Sequence, residues 1–154
     1  MSQSGSTGEI WILGATGRIG RAVAARLAGM EVTPVLVGRD PDRLAAVAAG
    51  IDDRAGIVVV RSPEEAAAEI TRRQPAVVIN TIGPFARTAV PIARACLPGG
   101  HYVDLALDVA AVSALLGLHE EAITAGSTLI TGTGFGVLAT EAIVAGLEMK
   151  LVTA

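Results

Sequence analysis

Gly14, Gly17 and Gly20 stand between an apolar run and a helix-like stretch. The segment Gly14-Ala15-Thr16-Gly17-Arg18-Ile19-Gly20 follows Ile10-Trp11-Ile12-Leu13 and opens Arg21-Ala22-Val23-Ala24-Ala25-Arg26-Leu27. Small residues at this spacing allow three things at once. The chain turns tightly off a strand, its backbone approaches a pyrophosphate closely, and the next helix packs hard on the sheet with its first N–H groups facing the anion. Strand, glycine turn and helix, with a second strand at Val32–Val37, imply a dinucleotide site built from Gly14, Ala15, Thr16, Gly17, Arg18, Ile19 and Gly20. A glycine turn with no ligand is the competing reading.

Arg39 follows the second strand, where an acidic residue would hold the ribose hydroxyls of NAD(H). Arginine there suits a 2′-phosphate, which its planar fork meets with two hydrogen bonds. The expected cofactor is therefore NADP(H), with NAD(H) second. A solvated loop cation is the alternative for Arg39, and a surface residue for Arg18. Arg43 is a weaker phosphate candidate, and Asp40 is explained by helix capping.

Two further clusters carry chemistry. Asn80-Thr81-Ile82-Gly83-Pro84-Phe85 lies at the carboxyl end of the fourth strand, the edge where open α/β sheets bind ligands. Asn80 and Thr81 offer hydrogen bonds to a ribose or carboxamide, Gly83 and Pro84 shape the loop, and Phe85 walls the site or fills the core. In His101-Tyr102-Val103-Asp104, strand alternation puts Tyr102 and Asp104 on one face. Asp104 then falls at the carboxyl edge, facing the cleft, as a candidate for binding an amine or moving a proton. Tyr102 is the other weak catalytic candidate, and a strand-end turn carboxylate is the plainer role for Asp104. His119 reads as a solvated helix residue and Cys96 as inert packing. A catalytic Tyr with Lys four residues later cannot be made, because Tyr102 and Lys150 are the only residues of their kinds.

The elements that must position these residues follow from pattern and size. A chain of 154 residues is one domain's length and buries about two-thirds of its unfolded surface. It is 51% hydrophobic but only 3% aromatic, which suits a buried parallel sheet under Ala-rich helices. A net charge of −3 leaves no basic footprint for nucleic acid. Two histidines and one cysteine leave no metal-ligand spacing and no internal disulfide, so a reduced, cytoplasmic setting is expected. The polar start, residues 1–8, reads as a mobile tail and lacks the features of a signal peptide. No apolar run approaches a membrane span.

Strands are expected at Ile10–Leu13, Val32–Val37, Ile57–Val60, Ala76–Asn80, His101–Asp104 and Thr128–Thr131. Helices alternate with them: Arg18–Ala28; Pro41 to about Ala48, capped by Asp40; and a third to about Arg73, opened by the capping box Ser62-Pro63-Glu64-Glu65. Then come Thr88–Leu97, with Pro91 in its first turn, and Val109–Ala125. A glycine-rich loop, Gly132–Gly136, leads to a last helical stretch, Ala139–Leu151. The pattern predicts an α/β, doubly wound Rossmann fold: a six-stranded parallel sheet, order 3-2-1-4-5-6, with helices on both faces.

In order and spacing, Gly14-Ala15-Thr16-Gly17, Val37-Gly38-Arg39, Val78 to Phe85, Arg94-Ala95-Cys96, His101 to Leu105 and Gly134-Phe135-Gly136 resemble the NADP-binding domain of the saccharopine dehydrogenase-like oxidoreductases. The resemblance implies NADP(H) binding and a following α/β domain that supplies most substrate contacts. It also implies hydride transfer with amino-acid-like substrates or enoyl lipid intermediates, and dimers. Asp108 stands where relatives commonly carry glutamate, and no role is carried onto it. Residues 9–136 would be the cofactor domain and 137–154 an apolar segment leading toward a second domain that the chain lacks. That segment, left bare, implies a homo-oligomer. The domain alone is expected to bind cofactor without turnover. A non-catalytic nucleotide sensor is the alternative from another class.

Overall fold

The computed structural model describes residues 8–134. The tail before Gly8, the Phe135-Gly136 end of the expected glycine-rich loop and the apolar segment of residues 137–154, with its expected last helical stretch, lie outside the described residues.

The strands are β1 (Ile10–Leu13), β2 (Val35–Gly38), β3 (Gly56–Val59), β4 (Val77–Asn80), β5 (His101–Asp104) and β6 (Leu129–Ile130). The helices are α1 (Arg18–Ala28), α2 (Pro41–Ala49), α3 (Pro63–Arg73), α4 (Phe85–Ala95), α5 (Val109–Leu116) and α6 (His119–Ala125). All strand pairs are parallel and the sheet order is β3-β2-β1-β4-β5-β6, as the pattern predicts.

Side-chain alternation splits the core into two layers. Ile12 and Leu36 point to the face covered by Ala24 of α1 and by Leu44 and Ala48 of α2. Trp11, Leu13, Val37 and Val78 point to the other, under Ile70 of α3, Ile92 of α4 and Leu115 of α5. Each such side chain, buried fully, is worth about 1.5–3 kcal/mol, so these layers and not the exposed ion pairs hold the sheet. The amino end of β1 has its own clasp. Glu9 accepts from Trp11 Nε1 at 2.8 Å and pairs with Arg73 at 2.9 Å, and the guanidinium lies 4.9 Å over the indole ring. Arg73 therefore serves the sheet, and Glu69 keeps only Arg72, at 2.6 Å.

Several boundaries differ from expectation for local reasons. β2 starts at Val35 because Val32 N–H still bonds back to Leu27 of the α1 end, across Glu31 at φ 60°. α4 starts at Phe85, so Pro91 lies inside the helix and not in its first turn. Its missing N–H leaves the Arg87 carbonyl without a helical donor, and both residues are exposed. The helical region expected over about Val109–Ala125 consists of two helices, parted at Gly117-Leu118. Local capping is as read: Asp40 accepts from Asp42 and Arg43 N–H at 3.1 Å. Ser62 accepts from Glu65 N–H at 3.2 Å, and the Glu65 carboxylate returns to Arg61 N–H at 2.7 Å.

Cys96, 2% exposed, donates to the Ile92 carbonyl at 3.3 Å, and burial pushes its thiol up to about 12. It stays a neutral thiol at ordinary pH. A colorimetric thiol reagent at pH 8 should therefore react only after denaturant is added. Fast reaction with the native protein would contradict this packing.

Candidate functional site

Strand order reverses at β1, whose neighbours β2 and β4 send their helices to opposite faces, and a crevice opens at its carboxyl end. The glycine turn fills its floor. Gly14 sits at φ +77°, and a Cβ there would come 2.7 Å from Thr81 Oγ1. Gly14 and Ala15 N–H bond to the Val37 carbonyl at 3.0 and 3.2 Å, tying the turn to β2. A Cβ on Gly20 would run into the Gly14 carbonyl oxygen and approach Ala15 Cα to 2.8 Å, so α1 meets the turn backbone to backbone. Gly17 is the N-cap of α1 and brings no side chain to its first amides. They are left to a ligand or water.

The cleft above encloses about 430 Å³. Four strand ends line it: Gly14, Thr16 and Gly17 after β1; Gly38 and Arg39 at the end of β2; Val60 to Pro63 after β3; Thr81, Ile82 and Gly83 after β4. A shallower groove of about 400 Å³ adjoins it across Thr16, between α1 and α2, and takes Arg21 and Arg43. Of the residues named from sequence, Gly14, Thr16, Gly17, Arg39, Thr81 and Gly83 meet in the cleft. Ala15 is core, Gly20 lies beneath the turn, and Arg18 and Ile19 are exposed on the first turn of α1, outside the cleft lining. Pro84 caps α4 behind it. Arg61 was not named from sequence, and Ser62 and Pro63 were named only as a helix start, although the strand order alone brings the end of β3 beside the end of β2. Arg39 and Arg61 form no ion pair among the described residues.

Asn80, Tyr102 and Asp104 depart from expectation. The β4–β5 register sets Asn80 against Asp104, and all three side chains are 0–1% exposed. Asp104 does not face the cleft. The turn after β6 folds over it, with Thr131 Oγ1 donating to Oδ1 at 2.7 Å and Gly132 N–H at 3.4 Å, and Ala106 N–H, just past β5, donates to the same oxygen at 3.0 Å. Thr133 Oγ1 holds the Asp104 carbonyl at 2.6 Å. Tyr102 donates to Asp104 Oδ2 at 2.8 Å and accepts from Asn80 Nδ2 at 3.0 Å. Burial first, then the Asp104 carboxylate, push the phenol well above its ordinary range, so it keeps its proton. Neither residue is among those that line the cleft. The Asn80 side chain is likewise buried, with its amide engaged by Tyr102 and by Ile82 N–H. His101 Nδ1 accepts from Thr128 N–H at 3.0 Å, and Asp108 caps α5 through Ala111 N–H at 2.8 Å. No group of three or more His, Cys, Asp or Glu among the described residues could hold a metal, and no helix among them is long and apolar enough to cross a membrane.

The trans-acting enoyl reductase of Mycobacterium ulcerans (strain Agy99) is 30% identical to this chain over 142 residues, covering 88% of this chain and 34% of that one. Its counterpart from Mycobacterium leprae (strain TN) is 31% identical over 134 residues, covering 82% and 32%. The chain thus spans about one third of these relatives. Apo saccharopine dehydrogenase (L-Glu forming) from Saccharomyces cerevisiae has the same fold, with a TM-score of 0.65 at 16% identity over 84% of this chain and 28% of that one. So has a metagenomic short-chain oxidoreductase in complex with NADP, TM-score 0.63 at 16% identity over 80% of each chain. The saccharopine dehydrogenase NADP-binding domain model matches residues 10–130, nearly the whole described fold. With a glycine turn, an open helix N-terminus and a cation after β2 in one cleft, the chain belongs to the family of saccharopine dehydrogenase NADP-binding domains, and its cofactor is NADP(H).

Proposed function

We propose that this chain is the cofactor half of an NADP-dependent oxidoreductase, moving hydride to or from an amino-acid-like or enoyl substrate once a second α/β domain completes the site. One observation carries the reading: the glycine turn and Arg39 line the same cleft at the switch point of the sheet. The pyrophosphate would lie over Gly14 and Gly17 at the start of α1, and Arg18 is close enough in sequence to add charge there. Arg39 would meet the 2′-phosphate. The nicotinamide end would run toward Thr81 and Gly83, the wall after β4. NADP(H) supplies the hydride; these residues bind and orient it. A reduced, cytoplasmic setting fits the buried thiol of Cys96. The full protein would assemble as a homo-oligomer. Proton transfer and most substrate contacts would come from the second domain.

A second reading, a non-catalytic redox sensor, is favoured by one feature. Among the described residues the cleft lining contains no His, Tyr, Asp or Glu.

Arg39→Ala tests the cofactor assignment. A charge-assisted arginine–phosphate contact is worth about 1.5–3 kcal/mol, roughly ten- to a hundredfold in affinity. NADPH should weaken by that factor and NADH should hardly change, with the difference shrinking in high salt. Titration of both cofactors against parent and variant decides it. Equal losses, or a parent that prefers NADH, would make Arg39 an ordinary loop cation.

A further inference from the structure

We propose that Tyr102 and Asp104 are positioning residues for the cofactor cleft, acting through Asn80 on the wall formed by Thr81, Ile82 and Gly83. The binding half of this proposal rests on the dinucleotide reading above.

The direction of every hydrogen bond in the network follows from one group. Ile82 N–H can only donate, and it donates to Asn80 Oδ1 at 3.0 Å. That orients the amide, so Asn80 Nδ2 must face the Tyr102 oxygen, at 3.0 Å. The phenol then turns its hydrogen to Asp104 Oδ2, at 2.8 Å. The other carboxylate oxygen is already taken by Thr131, Ala106 and Gly132, all donors. No member can exchange roles with another, so the network has a single arrangement. Thr88 grips the same loop from α4. Its hydroxyl donates to the Ile82 carbonyl at 2.7 Å and lies 3.4 Å from Asn80 Nδ2. Ile82 is thus held at both its N–H and its C=O by interior side chains. The next residue back, Thr81, donates to the Leu13 carbonyl at 2.7 Å, where the glycine turn begins.

Filling this space does not require such a network. An apolar triad would pack it without burying a carboxylate that has no cation beside it, and such burial is costly. What the polar triad adds is one fixed place for the Ile82 peptide, and hence for the cleft wall.

Tyr102→Phe removes the hydroxyl that accepts from Asn80 and donates to Asp104, and keeps the ring. Thr88→Val is close to isosteric and releases the Ile82 carbonyl, so it keeps the test open if the first variant folds poorly. Leu115→Ala, in the same core but outside the network, controls for lost stability. The measurements are dissociation constants for NADPH and NADH, thermal midpoints, and hydrogen exchange at the Ile82 amide. Tyr102→Phe and Thr88→Val should weaken both cofactors about tenfold and speed Ile82 exchange. Leu115→Ala should lower the midpoint and do neither. Unchanged dissociation constants in both network variants overturn the proposal, as does an equal loss of affinity in Leu115→Ala. If the parent binds neither dinucleotide, the cofactor reading fails by itself. The positioning claim then stands or falls on Ile82 exchange.

Discussion

Gly20→Ala should destabilise the domain by at least about 2 kcal/mol and take cofactor binding with it. Two effects oppose each other at this position. Alanine is a better helix former than glycine by about 1 kcal/mol, and Gly20 lies in the first turn of α1. Against that, the new Cβ would strike the Gly14 carbonyl oxygen and sit 2.8 Å from Ala15 Cα. Both are backbone atoms of a buried turn, with no side-chain end to swing away. The helix must lift off the sheet, loosening Ala24 from Ile12 and Leu36 and moving the α1 amides away from the phosphate position. Sterics should win. For a domain of this size the thermal midpoint falls by about 4–8 °C. Gly29→Ala is the contrast. Gly29 ends the same helix at φ −66°, and its nearest neighbours would lie at an ordinary 3.5 Å. That variant should be neutral or slightly stabilising. Calorimetry on both settles the matter, and a Gly20→Ala protein as stable as the parent would mean that the close approach of helix and turn is wrong.

Asp104→Ala should be worse. It leaves the Tyr102 and Thr131 hydroxyls and the Ala106 and Gly132 amides without their acceptor, in a place that is 0% exposed at its centre. Each buried donor left without its acceptor costs roughly 1–3 kcal/mol, so losing this shared acceptor removes a large share of the 5–15 kcal/mol typical of a whole fold. Asp104→Asn should fall between parent and alanine. Its Oδ1 keeps three donors, but its Nδ2 faces the Tyr102 oxygen, which already accepts from Asn80, so the phenol hydrogen has nowhere to go. Urea denaturation of the three proteins should give midpoints in the order parent, asparagine, alanine. An alanine variant with the parental midpoint would show that these donors find water instead.

The two cases differ in how far sequence carries. The glycine turn, the Asp40 and Ser62 caps and the strand order are local or follow from handedness, and they are legible without coordinates. Arg61 and Ser62 were within reach by the same logic, since a strand beside β2 must end beside Arg39. The interior triad was not. Placing Asn80 against Asp104 needs the β4–β5 register. Covering Asp104 needs the turn at Thr131–Thr133, whose path no pattern announces. A carboxylate at a strand's carboxyl edge reads as facing a ligand until that cover is known. The start of α4 misled in a smaller way: the pattern begins the helix at about Thr88, which is an interior residue of α4 bonded to Ile82.

The clasp at the amino end of β1 has an optical consequence. Trp11 is the only tryptophan in the chain and is fully buried. It stands three residues before Gly14 on the strand that ends in the cofactor turn, so the two are about 10 Å apart at 3.3 Å per residue. Indole emission overlaps the absorption band of a reduced nicotinamide and not that of an oxidised one. Glu9 and Arg73 hold the emitter in one orientation. The domain thus carries an internal donor whose fluorescence should fall when the reduced cofactor arrives and not when the oxidised one does, with no label attached.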